Sequence, residues 1–251
     1  MLSILYEDNH LLVVNKPAML PTMGVADDRP SLLVEAKEYI RRKYHKPGNV
    51  YLGIVSRLDA PVTGVVLLAR TSKAAGRLSQ QFRERDVEKL YWAIVEGNVE
   101  PPEGTLVDFL RKDERHRRMH VTRANAPGAQ RAELTYRLLG RDRETGRMGE
   151  GETILEHESP PLPFSPFPTL GSVSLLEIRP LTGRKHQIRL QLAHAGFPIV
   201  GDRKYGSRQP FAAGIALHSR RLVVEHPVSK IQLEFEAPLP ATWQGHLAGR
   251  G

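Results

Sequence analysis

The sequence predicts an α+β fold, with a central, mainly antiparallel sheet emerging as the expectation once its motifs are read. Two observations give the class. Strand-like segments are mixed with helical ones without the strict β–α alternation of a doubly wound parallel sheet. The chain also has 251 residues, 40% of them hydrophobic, enough to close a sizeable core. No repeat and no linker divides it, so residues 1–251 read as one domain with an ordered core from about 5 to 238.

Leu11, Leu12, Val13 and Val14 form a short apolar run closed by Lys16-Pro17, which reads as a strand. From Pro30-Ser31, the residues Leu32, Leu33, Ala36, Tyr39 and Ile40 recur at helical spacing. Basic residues gather at the C-terminal end of that stretch, where they complement the helix dipole. Residues 51–55 and 65–69 read as strands. Between them the sequence SRLDAPVTG carries the turn chemistry of Asp, Pro and Gly. A helix follows over 71–85, with Ala74, Ala75, Leu78 and Phe82 on one face. Residues 89–96 alternate as a strand that puts Tyr91 on one side with Ala93 and Val95.

Residues 111–123, RKDERHRRMHVTR, are basic and polar: a solvated loop or a nucleic-acid contact. Strands are expected over 131–139 and 173–179. The Gly-, Pro- and charge-rich stretch 144–172 between them holds little that could pack, and reads as a loop insertion. Thr182 and Gly196 are the expected cap and stop of a helix over RKHQIRLQLAHA. Closing strands are expected over 215–224 and 231–235.

The formal charge of +8 favours an anionic partner, and nucleic acid is the commonest large one. The absence of cysteine excludes disulfides, zinc–thiolate sites, iron–sulfur clusters and thiol nucleophiles. Glu7, Asp8 and His10 fall where a signal peptide would be apolar, and no run approaches the ~18 apolar residues of a membrane span. A cytoplasmic protein without membrane association is the expectation.

Three segments carry candidate chemistry. Asp59 sits between two strands, beside Arg57 and before a Pro/Gly turn. Such a loop residue on a rigid frame is either a functional carboxylate or a turn former. Arg184, Lys185, His186 and Arg189 crowd the expected start of a helix, where cations oppose the macrodipole. That placement implies a phosphate or a buried carboxylate as partner, or else a basic face in water. Tyr91 is a stacking surface for a base, or a core tyrosine. His186 and His194 lie eight apart with no acidic residue between them and are read as structural, so no metal site is expected.

In order along the chain, LYEDNHLLVVNKPAMLPT, SRLDAPVTGVVLLAR, KLYWAIVEG, TGRKHQIRLQLAHAG and PIVGDRKYG resemble the successive motifs of the RluA-type RNA pseudouridine synthases. The resemblance implies a mainly antiparallel mixed sheet with flanking helices and a cleft across its middle. It implies isomerisation of a flipped-out uridine in ribosomal or transfer RNA, with no cofactor. It also implies roles. Asp59 is the catalytic carboxylate, Tyr91 stacks on the target uracil, and Arg189 pairs with Asp59, an arrangement that favours the ionised carboxylate. Arg57 fills the gap left by the flipped base, Ile188 lies near the base, and Arg184 and Lys185 meet backbone phosphates. These relatives are often monomers, which is the default here.

The chain departs from the family pattern at Ser56, where histidine is usual, and at Val62-Thr63-Gly64, where Thr-Ser-Gly is usual. It begins at the first catalytic-domain motif, so the small N-terminal RNA-binding domain of some relatives is not expected. A binding protein that keeps the fold without the chemistry, and a hydrolase using the same aspartate, are the competing readings.

Overall fold

The structure is a computed structural model that describes residues 2–24, 30–113, 118–142 and 172–243. Its 11 strands form one sheet in the order β1(Ser3–Glu7), β2(Leu11–Lys16), β4(Thr63–Ala69), β10(Leu217–Glu225), β5(Glu88–Glu96), β9(Val173–Pro180), β8(Gln130–Asp142), β6(Glu103–Asp113), β7(Arg118–Thr122). β3(Gly53–Ile54) pairs with β4, and β11(Gln232–Glu236) pairs with β10. The strand pairs are antiparallel except β4 with β10, which run parallel at His218–Thr63 and Ser219–Gly64. The α+β class and the mainly antiparallel sheet are therefore as the sequence indicates.

The apolar runs on β2 and β4 follow from burial on both faces. Leu12, Val14, Val66 and Leu68 pack with Leu32, Ala36 and Ile40 of α1(Leu32–Lys43). Leu11, Val13, Val65 and Leu67 pack with Ala74 and Leu78 of α2(Ser72–Glu84) on the other side. Each helix starts at the residue type that best satisfies free backbone N–H groups. Ser31 accepts from the Val34 amide and Thr71 from the Ala74 amide.

The parallel junction of β4 and β10 is fixed chemically. The Thr63 hydroxyl and His218 Nδ1 are 2.8 Å apart, and His218 Nε2 lies 3.2 Å from the Ala237 carbonyl. Burial pushes the His218 pKa down to about 4, so the ring is neutral at pH 7. Nε2–H then donates to Ala237, and Nδ1 accepts from Thr63. Gly64 has φ +112°, and a Cβ there would stand 2.2 Å from the Ser219 carbonyl oxygen. Only glycine allows that approach.

Three expectations need correction. Residues 111–123 are mostly the hairpin strands β6 and β7, with 114–117 outside the described residues. Their charges alternate with buried Leu110 and Met119, which the density of Arg and Lys obscures. The edge strand β1 has little buried surface to mark it and was not expected. The third helix, α3(Gln187–His194), begins later than expected, with His186 and not Thr182 as its N-cap. The Thr182 hydroxyl bonds instead to Gln187 Oε1 at 2.7 Å and accepts from the Glu133 amide at 2.8 Å. Gly196, with φ +90°, lies two residues beyond the end of α3. The expected insertion over 144–172 lies outside the described residues apart from Ser172.

Candidate active site

A cleft of about 550 Å³ opens at the middle of the sheet, lined among others by Arg57, Asp59, Tyr91, Lys185, Ile188 and Arg189. The loop carrying Asp59 leaves β3 and enters β4, and several backbone ties fix it. Thr22 Oγ1 donates to the Leu58 carbonyl at 2.8 Å and accepts from the Leu58 amide at 3.2 Å. The Val62 amide donates to the Asp59 carbonyl at 3.0 Å, closing a turn. The Ile215 amide donates to the Pro61 carbonyl at 3.2 Å. Ser56 accepts from the Leu67 amide at 2.9 Å, so its hydroxyl pins the loop's entry to β4.

Lys16 adds a further tie from the end of β2. It is fully buried, and its Nζ donates to the carbonyls of Pro17, Leu20 and Ala60 at 2.8, 2.8 and 3.0 Å. Burial pulls its pKa down to about 8, against the opposing charge of Asp59. Lys16→Met keeps the chain length and removes the donor from three carbonyls. We expect a loss of about 3 kcal/mol in stability, since each buried group left unpaired costs ~1–3 kcal/mol and the site relaxes partly. Urea unfolding measures it; an unchanged midpoint would show that the tether is dispensable.

Asp59 faces Arg189, which lies in the first turn of α3. Arg189 Nη1 donates to Asp59 Oδ2 at 2.9 Å. The same guanidinium grips Asp202 with two bonds, Nε to Oδ2 at 2.7 Å and Nη2 to Oδ1 at 2.9 Å. It also lies 5.1 Å from the centroid of the Tyr205 ring. The Arg189 and Asp202 side chains are 6% and 2% exposed, whereas that of Asp59 is 26% exposed to the cleft. One arginine thus joins a buried structural carboxylate to an accessible one. Its two carboxylate partners raise its pKa above an already high value, against the effect of burial, so it stays charged.

Tyr91, on β5, lies half-buried opposite Ser219 of β10. Burial raises its pKa, so the phenol is protonated at neutral pH. Ile188 is 8% exposed and closes the apolar side of the cleft. Arg57 and Lys185 are exposed on the rim and form no hydrogen bond or ion pair among the described residues. Arg184 is exposed too, with Nε donating to the Arg131 carbonyl at 3.2 Å. Arg184 and Lys185 stand in the turn before α3 and not in its first turn.

Three residues of this neighbourhood, Lys16, Asp202 and Tyr205, carry no expected role from the sequence, and His186, expected to be structural, stands beside Asp59. Asp202 and Tyr205 belong to the segment PIVGDRKYG, whose order along the chain was visible but whose contact with Arg189 was not. His194, read as structural, has Nδ1 2.9 Å from Asp108 Oδ1 at an exposed position. Among the described residues, no three His, Asp or Glu side chains are grouped as metal ligands, and no helix is long and apolar enough to cross a membrane.

Comparison with known proteins places this geometry. The family model for RNA pseudouridylate synthases matches residues 10–194. A tRNA pseudouridine synthase C from Vibrio cholerae is 31% identical, with the match covering 100% of this chain and 96% of its own. The dual-specificity RNA pseudouridine synthase RluA of Escherichia coli is 31% identical over 94% of this chain and 93% of its own. A tRNA pseudouridine synthase C from Pectobacterium carotovorum is 32% identical over 98% of this chain, which spans 61% of that longer protein. Among solved structures, human RNA pseudouridylate synthase domain containing 4 superposes with a TM-score of 0.70 at 25% identity, covering 98% of this chain and 91% of its own. The chain belongs to the RNA pseudouridylate synthases of the RluA type, isomerases that convert uridine in RNA to pseudouridine.

Proposed function

We propose that this chain isomerises uridine in transfer or ribosomal RNA with Asp59 as its catalytic carboxylate. The observation that carries the reading is the accessible Asp59 carboxylate, held on one oxygen by a buried arginine in the middle of a cleft. The reaction breaks the N1–C1′ bond and forms a C5–C1′ bond. The C5 hydrogen leaves as a proton and N1 takes one up, so nothing is oxidised and no external group is consumed. Asp59 acts at the ribose, as nucleophile at C1′ or as the base of a glycal route. Both roles require the ionised carboxylate, which Arg189 Nη1 meets at 2.9 Å.

The remaining residues have work that follows from their positions. Tyr91 offers a protonated aromatic face for the extruded uracil, and Ile188 an apolar wall. Stacking supplies about 1–3 kcal/mol towards the few kcal/mol needed to unstack a base. Arg57 at the rim is placed to occupy the vacated stack. Lys185 and Arg184 meet phosphates, and Lys204 and Arg118 extend that cationic rim: Arg118 donates to the Lys204 carbonyl at 2.6 Å. The absence of a membrane-crossing helix among the described residues is compatible with work on RNA in the cytoplasm.

The test is release of tritium from RNA labelled at C5 of uridine, using transfer and ribosomal RNA that lack prior modification. The expected result is release from one of the two pools, and fractionating that pool then locates the target. Free uracil in place of retained pseudouridine would instead identify a hydrolase.

A further inference from the structure

His186 is placed where a mere helix cap would not be. Its backbone is left-handed, with φ 55° and ψ 21°, and its side chain makes no cap hydrogen bond. That region is uncommon for a residue with a Cβ and persists where surrounding contacts over-determine it. The contacts here lie in the cleft. Nδ1 is 2.6 Å from the Tyr205 hydroxyl, and Nε2 is 3.7 Å from Asp59 Oδ1. Oδ1 is the oxygen that Arg189 leaves free.

The hydrogen-bond count assigns the tautomer. The Tyr205 hydroxyl has one proton to give, and Nε2 faces a carboxylate oxygen that can only accept. The proton goes to His186 Nδ1, and the imidazole hydrogen is left on Nε2, facing Asp59. The charged groups around the ring are Asp59 from the catalytic loop, Arg189 from α3, Lys185 from the preceding turn and Lys204 from the 3₁₀ turn Arg203–Tyr205. Burial first, and then the three cations, push the His186 pKa down to about 4, with Asp59 opposing. The ring is neutral throughout the working range.

We propose that His186 is a positioning residue: a neutral imidazole, oriented by Tyr205, that aims its Nε2–H at the free oxygen of Asp59. The proposal rests on the reading of Asp59 as the catalytic carboxylate. At 3.7 Å the donor steers the carboxylate without a full hydrogen bond. One oxygen is tied by a cation and the other is guided by a neutral dipole. A second cation on the free oxygen would hold the carboxylate more tightly and lower its reactivity as nucleophile or base. Keeping the ring neutral avoids that.

Single-turnover tritium release from unmodified transfer and ribosomal RNA tests this with wild type, His186→Leu, His186→Gln and Tyr205→Phe. His186→Leu is expected to lower the maximal rate by ~10–100-fold, with half-saturating RNA unchanged within ~2-fold. His186→Gln can present an amide N–H near the Nε2 position and is expected to recover at least ~5-fold over His186→Leu. Tyr205→Phe keeps the imidazole but removes the hydroxyl that orients Nδ1, and is expected to lower the maximal rate by ~3–30-fold, with half-saturating RNA again unchanged within ~2-fold. If His186→Leu does not fold, the maximal rates of Tyr205→Phe and His186→Gln decide. An active wild type with an unchanged rate in His186→Leu, no advantage of glutamine over leucine, or an unchanged rate in Tyr205→Phe overturns the positioning role alone. A wild type silent on both RNAs overturns the reading of the activity and this proposal with it.

Discussion

Asp59→Ala is expected to reduce tritium release by ~10⁴-fold or more while leaving the protein folded and bound to RNA, because under the proposed mechanism the variant removes the reacting group and little else. The contrast between the two carboxylates on Arg189 predicts the retained fold. Asp59 has a side chain 26% exposed and one bond to the arginine; Asp202 is 2% exposed and takes two. Losing Asp59 leaves Arg189 still paired with Asp202, so no buried charge is stranded. We expect a change in unfolding free energy of no more than ~1 kcal/mol. RNA affinity should stay within a few-fold, and tighten if anything, since an anion has been taken from a basic cleft. Equilibrium binding and tritium release on the same preparations separate the outcomes. Release that survives Asp59→Ala would remove the aspartate from the chemistry. Release that disappears together with RNA binding would point to a structural role for the loop.

Much of this architecture is legible in the sequence, and the parts that are not share a cause. The strands at 11–14 and 65–69 are visible because α1 and α2 bury both of their faces, leaving uninterrupted apolar runs. Helices α1 and α2 are visible because Ser31 and Thr71 stand at their caps and each buries one stripe. α3 is different: Gln187, Ile188, Arg189, Leu190, Gln191 and Leu192 are all buried, so no polar face marks its extent. A threonine before a basic run looks like a cap, which puts its expected start at Thr182. The hydroxyl in fact serves Glu133 and Gln187 across the fold, which only tertiary structure reveals. β6 and β7 were hidden by arginines and a lysine on the exposed sides of a hairpin.

The candidate site divides in the same way. Asp59, Tyr91 and Arg189 could be singled out because each lies in a motif with turn, strand or charge chemistry of its own. Lys16, His186, Asp202 and Tyr205 matter through partners far along the chain. Lys16 meets the Ala60 carbonyl 44 residues away, and His186 meets the Tyr205 hydroxyl 19 residues away. Nothing local to a lysine before a proline announces a buried ammonium that ties down a loop.

Arg189 bonds both the buried Asp202 and the proposed catalytic Asp59, and two substitutions can part the two tasks. Arg189→Met alone strands the Asp202 carboxylate in the interior and frees Asp59. We expect a loss of about 3–5 kcal/mol in stability, the usual consequence of removing one partner of a buried ion pair, together with a collapse of activity. Arg189→Lys should fall between, since an ammonium cannot reproduce the three guanidinium bonds to two carboxylates. The informative variant combines Arg189→Met with Asp202→Leu. Replacing both partners of a buried pair by apolar groups is often close to neutral, so the double variant should regain most of the lost stability. Its activity should not return, because Asp59 still lacks the donor on Oδ2; a deficit of ~10²–10³-fold is expected for a misplaced catalytic group. Urea unfolding and tritium release on the single and double variants measure the two effects on the same four proteins, with wild type and Asp202→Leu completing the cycle. Recovery of both stability and turnover in the double variant would mean that the arginine serves only the turn at Asp202. Recovery of stability alone would assign Arg189 a second and separable task, that of presenting Asp59 to the RNA.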